Sequence, residues 1–96
     1  MKFMLTFSWK PDAKVRAEGI ARFRKTAGQM PKGAKLLGRW TKADFGGGYD
    51  LIETDDPQAL AEFALGWSDL MELSFAPVLE DEALANVLGR AEPARK

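Results

Sequence analysis

Ninety-six residues carrying fourteen basic and fourteen acidic side chains make one domain of zero net charge. A composition of 46% hydrophobic and 29% charged residues argues for a folded globular chain, and the charge balance lacks the basic excess on which nucleic-acid binding depends. With neither cysteine nor histidine, disulfides, thiolate nucleophiles, structural zinc, His-ligated haem and His-containing triads are all excluded.

Along the chain, Lys2 to Lys10 alternates: Phe3, Leu5, Phe7 and Trp9 point one way, Met4, Thr6 and Ser8 the other. Period two with aromatic content predicts a strand. No apolar run approaches about 18 residues, so neither a signal peptide nor a membrane span is expected, and the cytoplasm is the default compartment. Pro11 and Asp12 open a helix whose stripe runs Val15, Gly19, Phe23 and Ala27, widened by Ile20, with Lys14, Glu18, Arg22 and Lys25 opposite. Gly28, Pro31 and Gly33 end it. Lys35 to Lys42 reads as a second strand interrupted by Gly38, and Tyr49 to Thr54 as a third, joined by Asp44-Phe45-Gly46-Gly47-Gly48 as a hairpin. Asp55-Asp56-Pro57 is a helix start, an Asp N-cap before Pro, and Leu60, Phe63, Ala64 and Trp67 give the helix its apolar face. Ser68-Asp69 breaks that helix, Met71 to Leu79 alternates as a fourth strand, and Asp81 caps a short helix that Gly89 stops. Leu84, Val87 and Leu88 share one face of it.

The order β-α-β-β-α-β with a short C-terminal helix is that of an α+β, ferredoxin-like domain with a four-stranded antiparallel sheet and both crossover helices on one face. One such domain is expected over 1–90, followed by a flexible tail over 91–96. Met4, Ile52 and Val78 are expected on the face without helices, which calls for a cover. Pairing sheet to sheet into a homodimer, a dimeric α/β barrel, supplies one. Basic residues gather between Lys10 and Lys42, and acidic ones dominate from Asp44 to the tail. Solvated faces of opposite sign account for this; charge complementarity between subunits is the sharper alternative.

Four stretches carry a resemblance: Met1 to Phe7, Glu53-Thr54-Asp55-Asp56-Pro57 with Ala59-Leu60, Trp67-Ser68-Asp69-Leu70, and Ala76-Pro77-Val78-Leu79. On these the chain resembles the dimeric α/β-barrel superfamily and, within it, a bacterial family of unknown function whose members are roughly 100 residues, the size of one domain. The resemblance implies fold and dimerisation more than chemistry. Proteins of that superfamily include cofactor-free monooxygenases, haem-degrading enzymes, lactone isomerases, dye peroxidases and ligand-sensing domains, and fold does not choose among them. Its enzymes commonly place substrate between sheet and helices and many use a histidine, which is missing here.

Candidate site residues remain few. Trp67 can wall a pocket, with Asp69 or Glu72 as the weak candidates for a catalytic base; core packing and turn capping are the plainer roles for Trp67 and Asp69. Trp67, Tyr49, Arg39 and Ser8 are the candidates for rimming a pocket, although an ion pair between Arg39 and Glu53 across the hairpin explains Arg39 without a ligand. No base stands ready to activate Ser8. The run Gly46-Gly47-Gly48 precedes a strand, so a hairpin turn explains it better than a phosphate cradle, which needs a following helix. Asp55-Asp56 and Glu80-Asp81-Glu82 sit at helix starts, where capping accounts for them; no metal and no cofactor are expected. Three readings follow: a dimer binding a small, partly apolar molecule, a cofactor-independent monooxygenase or isomerase, and a purely structural or partner-binding dimer. Neither nucleic acid nor a membrane is an expected partner.

Overall fold

The computed structural model describes residues 1–91. Its elements run β1 (Lys2–Trp9), α1 (Ala13–Thr26), β2 (Lys35–Thr41), β3 (Gly47–Glu53), α2 (Pro57–Trp67), β4 (Met71–Val78) and α3 (Asp81–Ala91). The strands lie in the order β2-β3-β1-β4, each antiparallel to its neighbour, which is the expected ferredoxin-like α+β arrangement. Of the expected tail, Ala91 closes α3, and 92–96 lie outside the described residues.

Both crossover helices begin where the sequence places an aspartate. Asp12 accepts from the backbone N–H of Lys14 at 2.8 Å, and Asp56 from that of Gln58 at 2.9 Å with Pro57 behind it. Each satisfies one of the amides left open by a helix start. At the far end of α1, Ala27 itself turns left-handed (φ 57°) and its N–H reaches the Phe23 carbonyl at 2.6 Å; Gly28 follows at φ 60°. The α3 helix does not stop at Gly89 as expected but continues to Ala91. An isolated helical glycine costs only about 1 kcal/mol, and nothing packs around this one.

Register decides which side chains meet the helices. Phe3, Leu5 and Phe7 of β1 stand opposite Ile52, Asp50 and Gly48 of β3 and Pro77, Phe75 and Leu73 of β4. This parity packs under α2: Leu5, Ile52, Leu60, Phe63, Trp67, Leu70 and Met71 form the buried core. Ile52 is therefore not on the uncovered face, where the sequence reading placed it; it is 0% exposed. Leu51, opposite Met4, takes that place. The apolar residues of β3 fall on both parities, so alternation alone left its orientation open.

A bulge between Leu36 and Gly38 reshapes the edge hairpin. Lys35 and Leu36 pair with Glu53 and Ile52, but beyond the bulge Arg39 pairs with Asp50 and Trp40 with Tyr49. The expected Arg39–Glu53 pair is thus replaced: Lys35 stands opposite Glu53, and Arg39 bonds Asp50. The single extra residue turns Arg39 onto the helix-covered face, since one step in register exchanges the faces of a strand.

The glycines that follow serve close approach more than turning. The left-handed position in the β2–β3 turn is Phe45 (φ 60°), while Asp44 accepts from the Gly46 N–H at 2.8 Å. Gly47 and Gly48 already belong to β3, extending it beyond the expected start at Tyr49. A Cβ on Gly47 would strike the Phe7 carbonyl oxygen, and one on Gly48 the Trp40 carbonyl oxygen. Backbone cannot swing aside as a side-chain tip can. Gly47→Ala is therefore expected to cost about 1–3 kcal/mol, read as a lowered urea midpoint. Gly89→Ala, in open space, is expected to stabilise by up to about 1 kcal/mol.

Candidate functional site: an aromatic cavity between sheet and helices

The helices do not seal the covered face of the sheet. A cavity of about 490 Å³ opens between them and the strands, within the roughly 300–1,000 Å³ usual for small-molecule sites. Its walls are Leu5, Phe7 and Trp9 from β1, Met71 and Leu73 from β4, Phe63 and Trp67 from α2, and Ile20 and Phe23 from α1. Buried lining residues, among them Leu5, Asp50, Phe63, Trp67 and Met71, form its floor; the exposed ones, Phe23 and Arg24 on α1, Thr41 at the end of β2, and Lys42, Ala43 and Phe45 on the turn, form its mouth. Phe45 is 54% exposed there, in a left-handed backbone that costs a bulky residue roughly 1–2 kcal/mol.

Aromatic rings shape the interior through small neighbours. The six-membered ring of Trp9 lies against Gly19, where a Cβ would collide with it; this is why glycine sits buried in the α1 stripe. Phe7 meets Trp9 edge-on at 6.4 Å between centroids. The Trp9 indole N–H is buried with no hydrogen-bond partner among the described residues.

One ion pair sits in the floor. Asp50 is 1% exposed, and its two oxygens accept from Arg39 Nε at 2.9 Å and Nη2 at 3.2 Å. Arg39 also donates to the Ala27 carbonyl at 3.2 Å and the Gly28 carbonyl at 2.8 Å, and lies 5.4 Å over the Phe23 ring. A buried carboxylate survives only when so compensated, and the same guanidinium ties the end of α1 to the hairpin.

The structure separates the sequence-derived candidates. Trp67 and Arg39 line the cavity together. Ser8, Tyr49 and Glu72 lie on the opposite face of the sheet, where Ser8 and Glu72 are cross-strand neighbours: period two carries even-numbered β1 residues and their partners away from the helices. Asp69 is also outside, bonded through both oxygens to Arg22 at 3.0 and 2.9 Å. Arg22 further donates to the Gly66 carbonyl at 2.8 Å and lies 5.4 Å over Trp67, clamping α1 to the end of α2. The hydrogen bonds from Arg22 hold the Asp69 carboxyl below the usual carboxylate range, and burial opposes this only in part. That is the wrong direction for a base working near neutrality.

Asp50, Phe45, Arg24 and Lys42 were not singled out from the sequence. Asp50 left one signal: it shares the parity of Ile52 in an otherwise apolar stretch, the pattern of a buried charge that must have a partner.

An open antiparallel sheet with two crossover helices and an apolar cavity between the layers defines a small ferredoxin-like α/β domain with room for a ligand. The model for a domain of unknown function (DUF3303) matches residues 1–92, and the chain belongs to that family. Among solved structures it is similar in fold to Rv0793 from Mycobacterium tuberculosis, with a TM-score of 0.55 and 14% identity over 84% of this chain and 98% of that one. No curated protein matches.

Two outcomes are expected at these ion pairs. Arg39→Met strands the Asp50 carboxylate and should cost about 3–5 kcal/mol in denaturant unfolding at neutral pH, whereas Arg39→Met with Asp50→Leu should recover most of the loss. At the surface, the depressed Asp69 value means its contribution to stability is present above the ordinary Asp value of about 3.9 and lost as pH falls through the folded value. Because Asp69 is exposed, the effect is small, and carboxyl NMR reads it directly: Asp69 should titrate low in the native chain and return upward in Arg22→Gln.

Proposed function

We propose that the protein is a homodimer, paired through the uncovered sheet face, in which each subunit holds a small, partly apolar molecule between sheet and helices. The cavity carries this reading: it is large enough for a ligand, walled by aromatic and aliphatic side chains, and bordered by few polar groups. The dimer is supported by the apolar content of the other sheet face, with Met4, Leu51 and Val78 half-buried and Trp40 55% exposed. A contiguous face of that kind calls for a partner, and α3 adds Leu84, Val87 and Leu88, none of them buried.

Binding is favoured over a cofactor-independent oxygenase or isomerase for one reason. Asp50 is the one carboxylate among the lining residues, and Arg39 occupies both of its oxygens; a general base needs a free one. A purely structural dimer is disfavoured because such a role gives no reason to keep an unfilled aromatic cavity, whose walls forfeit dispersion contacts.

The uncharged dye N-phenyl-1-naphthylamine should bind one per subunit with enhanced fluorescence. Ile20→Trp, which fills the cavity from α1, should weaken it at least about tenfold, or roughly 1.4 kcal/mol. Absence of binding, or binding indifferent to Ile20→Trp, overturns the ligand reading. Native mass spectrometry should give twice the chain mass, and Leu51→Lys the single chain; a wild-type monomer at micromolar concentration overturns the dimer.

A further inference from the structure

We propose that the occupant of the cavity is an apolar monoanion, an aromatic or short acyl body bearing one carboxylate, whose acid group sits at the mouth between Arg24 and Lys42. This rests on the ligand-binding reading above and names the chemistry of the ligand. Four charged residues border the cavity: Arg24, Arg39, Lys42 and Asp50. Two of them cancel in the floor. Of the five N–H donors of the Arg39 guanidinium, four already serve Asp50, Ala27 and Gly28.

The other two are cations with no side-chain hydrogen bond or ion pair to any described residue. Arg24 comes from α1 and Lys42 from the β2–β3 turn, so two separate elements bring positive charge to one opening. The nearest acid in sequence to Lys42, Asp44, accepts from the Gly46 N–H. A chain of zero net charge thus keeps two uncompensated positive charges at the entrance of an apolar hollow. Low-dielectric walls focus such a field outward and draw in anions. A neutral occupant would leave both cations as they are, and a cationic one would add repulsion. An anion with an apolar tail satisfies both halves of the site: the rings of Phe7, Phe63 and Trp67 take the tail, and the rim takes the charge. The long aliphatic stems of Arg24 and Lys42 can line the apolar wall while their heads stay in water, so the charge meets the acid without being buried.

The test uses the bound N-phenyl-1-naphthylamine as reporter and a matched pair of competitors, 2-naphthoate and the uncharged 2-naphthamide. Naphthoate is expected to displace the dye at about tenfold lower concentration, the sum of two exposed ion pairs. In the double variant Arg24→Gln with Lys42→Gln the two competitors should become equivalent to each other; both are measured against the same bound dye in the same variant, so any change in dye affinity cancels from their ratio. About 0.5 M NaCl should narrow the difference in the wild-type protein, because exposed charges are screened. Equal displacement by both competitors in the wild type overturns the anion assignment and leaves the cavity reading standing. A naphthoate preference that survives the double variant overturns the assignment to Arg24 and Lys42. Failure of the dye itself to bind overturns the underlying reading instead.

Discussion

The Arg39–Asp50 pair is the contact on which the geometry of the site depends. Asp50 occupies a position of β3 that faces the core beside Leu5, where a lone carboxylate would cost several kcal/mol of desolvation. Arg39 can answer it only because the bulge at Leu36–Gly38 shifts the register of β2 by one residue. Continuing the pairing of Lys35 and Leu36 would set Arg39 opposite Tyr49, on the other face of the sheet. The same guanidinium then takes the carbonyls of Ala27 and Gly28, just past the end of α1. Backbone irregularity, buried charge and helix position are thus one coupled arrangement.

The cavity follows from where α1 is held. Its C-terminus is fixed to the hairpin by Arg39, and its middle to the end of α2 by Arg22 through Gly66 and Asp69. Just before Arg22, Gly19 lets the Trp9 ring approach the helix backbone, and between the two anchors Phe23 lies against the Arg39 guanidinium and stays partly open to solvent. The helix is therefore anchored by polar contacts at its flanks. The space beneath is bounded by large rings that do not interdigitate, in contrast to the close-packed norm of protein interiors.

The uncovered side of the sheet tells a complementary story. Lys2, Glu53, Glu72, Ser8 and Ser74 mix there with Met4, Leu51, Tyr49 and Trp40. The Trp40 ring folds back over Gly38, so the bulge also shapes this face. The apolar side chains run as a diagonal stripe from Trp40 on edge strand β2 through Tyr49, Leu51 and Met4 to Val78 on edge strand β4, with polar Thr6 and Lys2 on either side of it. No helix of the described residues is long and apolar enough to cross a membrane.

Sequence by itself determined the element order, both aspartate N-caps, the strand parity of β1 and β4, and the exclusion of thiol and imidazole chemistry. Those are local properties: alternation, capping chemistry and residue inventory act within a few residues of where they are read. It also marked Trp67, a large aromatic at the end of an apolar helix face, and Arg39, a cation in the hairpin strand that needs a partner or a ligand. Only the tertiary structure decided which face of β3 is buried, and hence that Ile52 is core and Leu51 is not. Only it decided that Arg39 meets Asp50 instead of Glu53, that Ser8, Tyr49 and Glu72 stand away from the cavity, and that Arg24, Lys42 and Phe45 stand at its mouth. Those outcomes rest on register across strands and on the placement of a helix over a sheet. A single bulged residue changes the first, and side chains distant in sequence set the second, so no local pattern could have specified either.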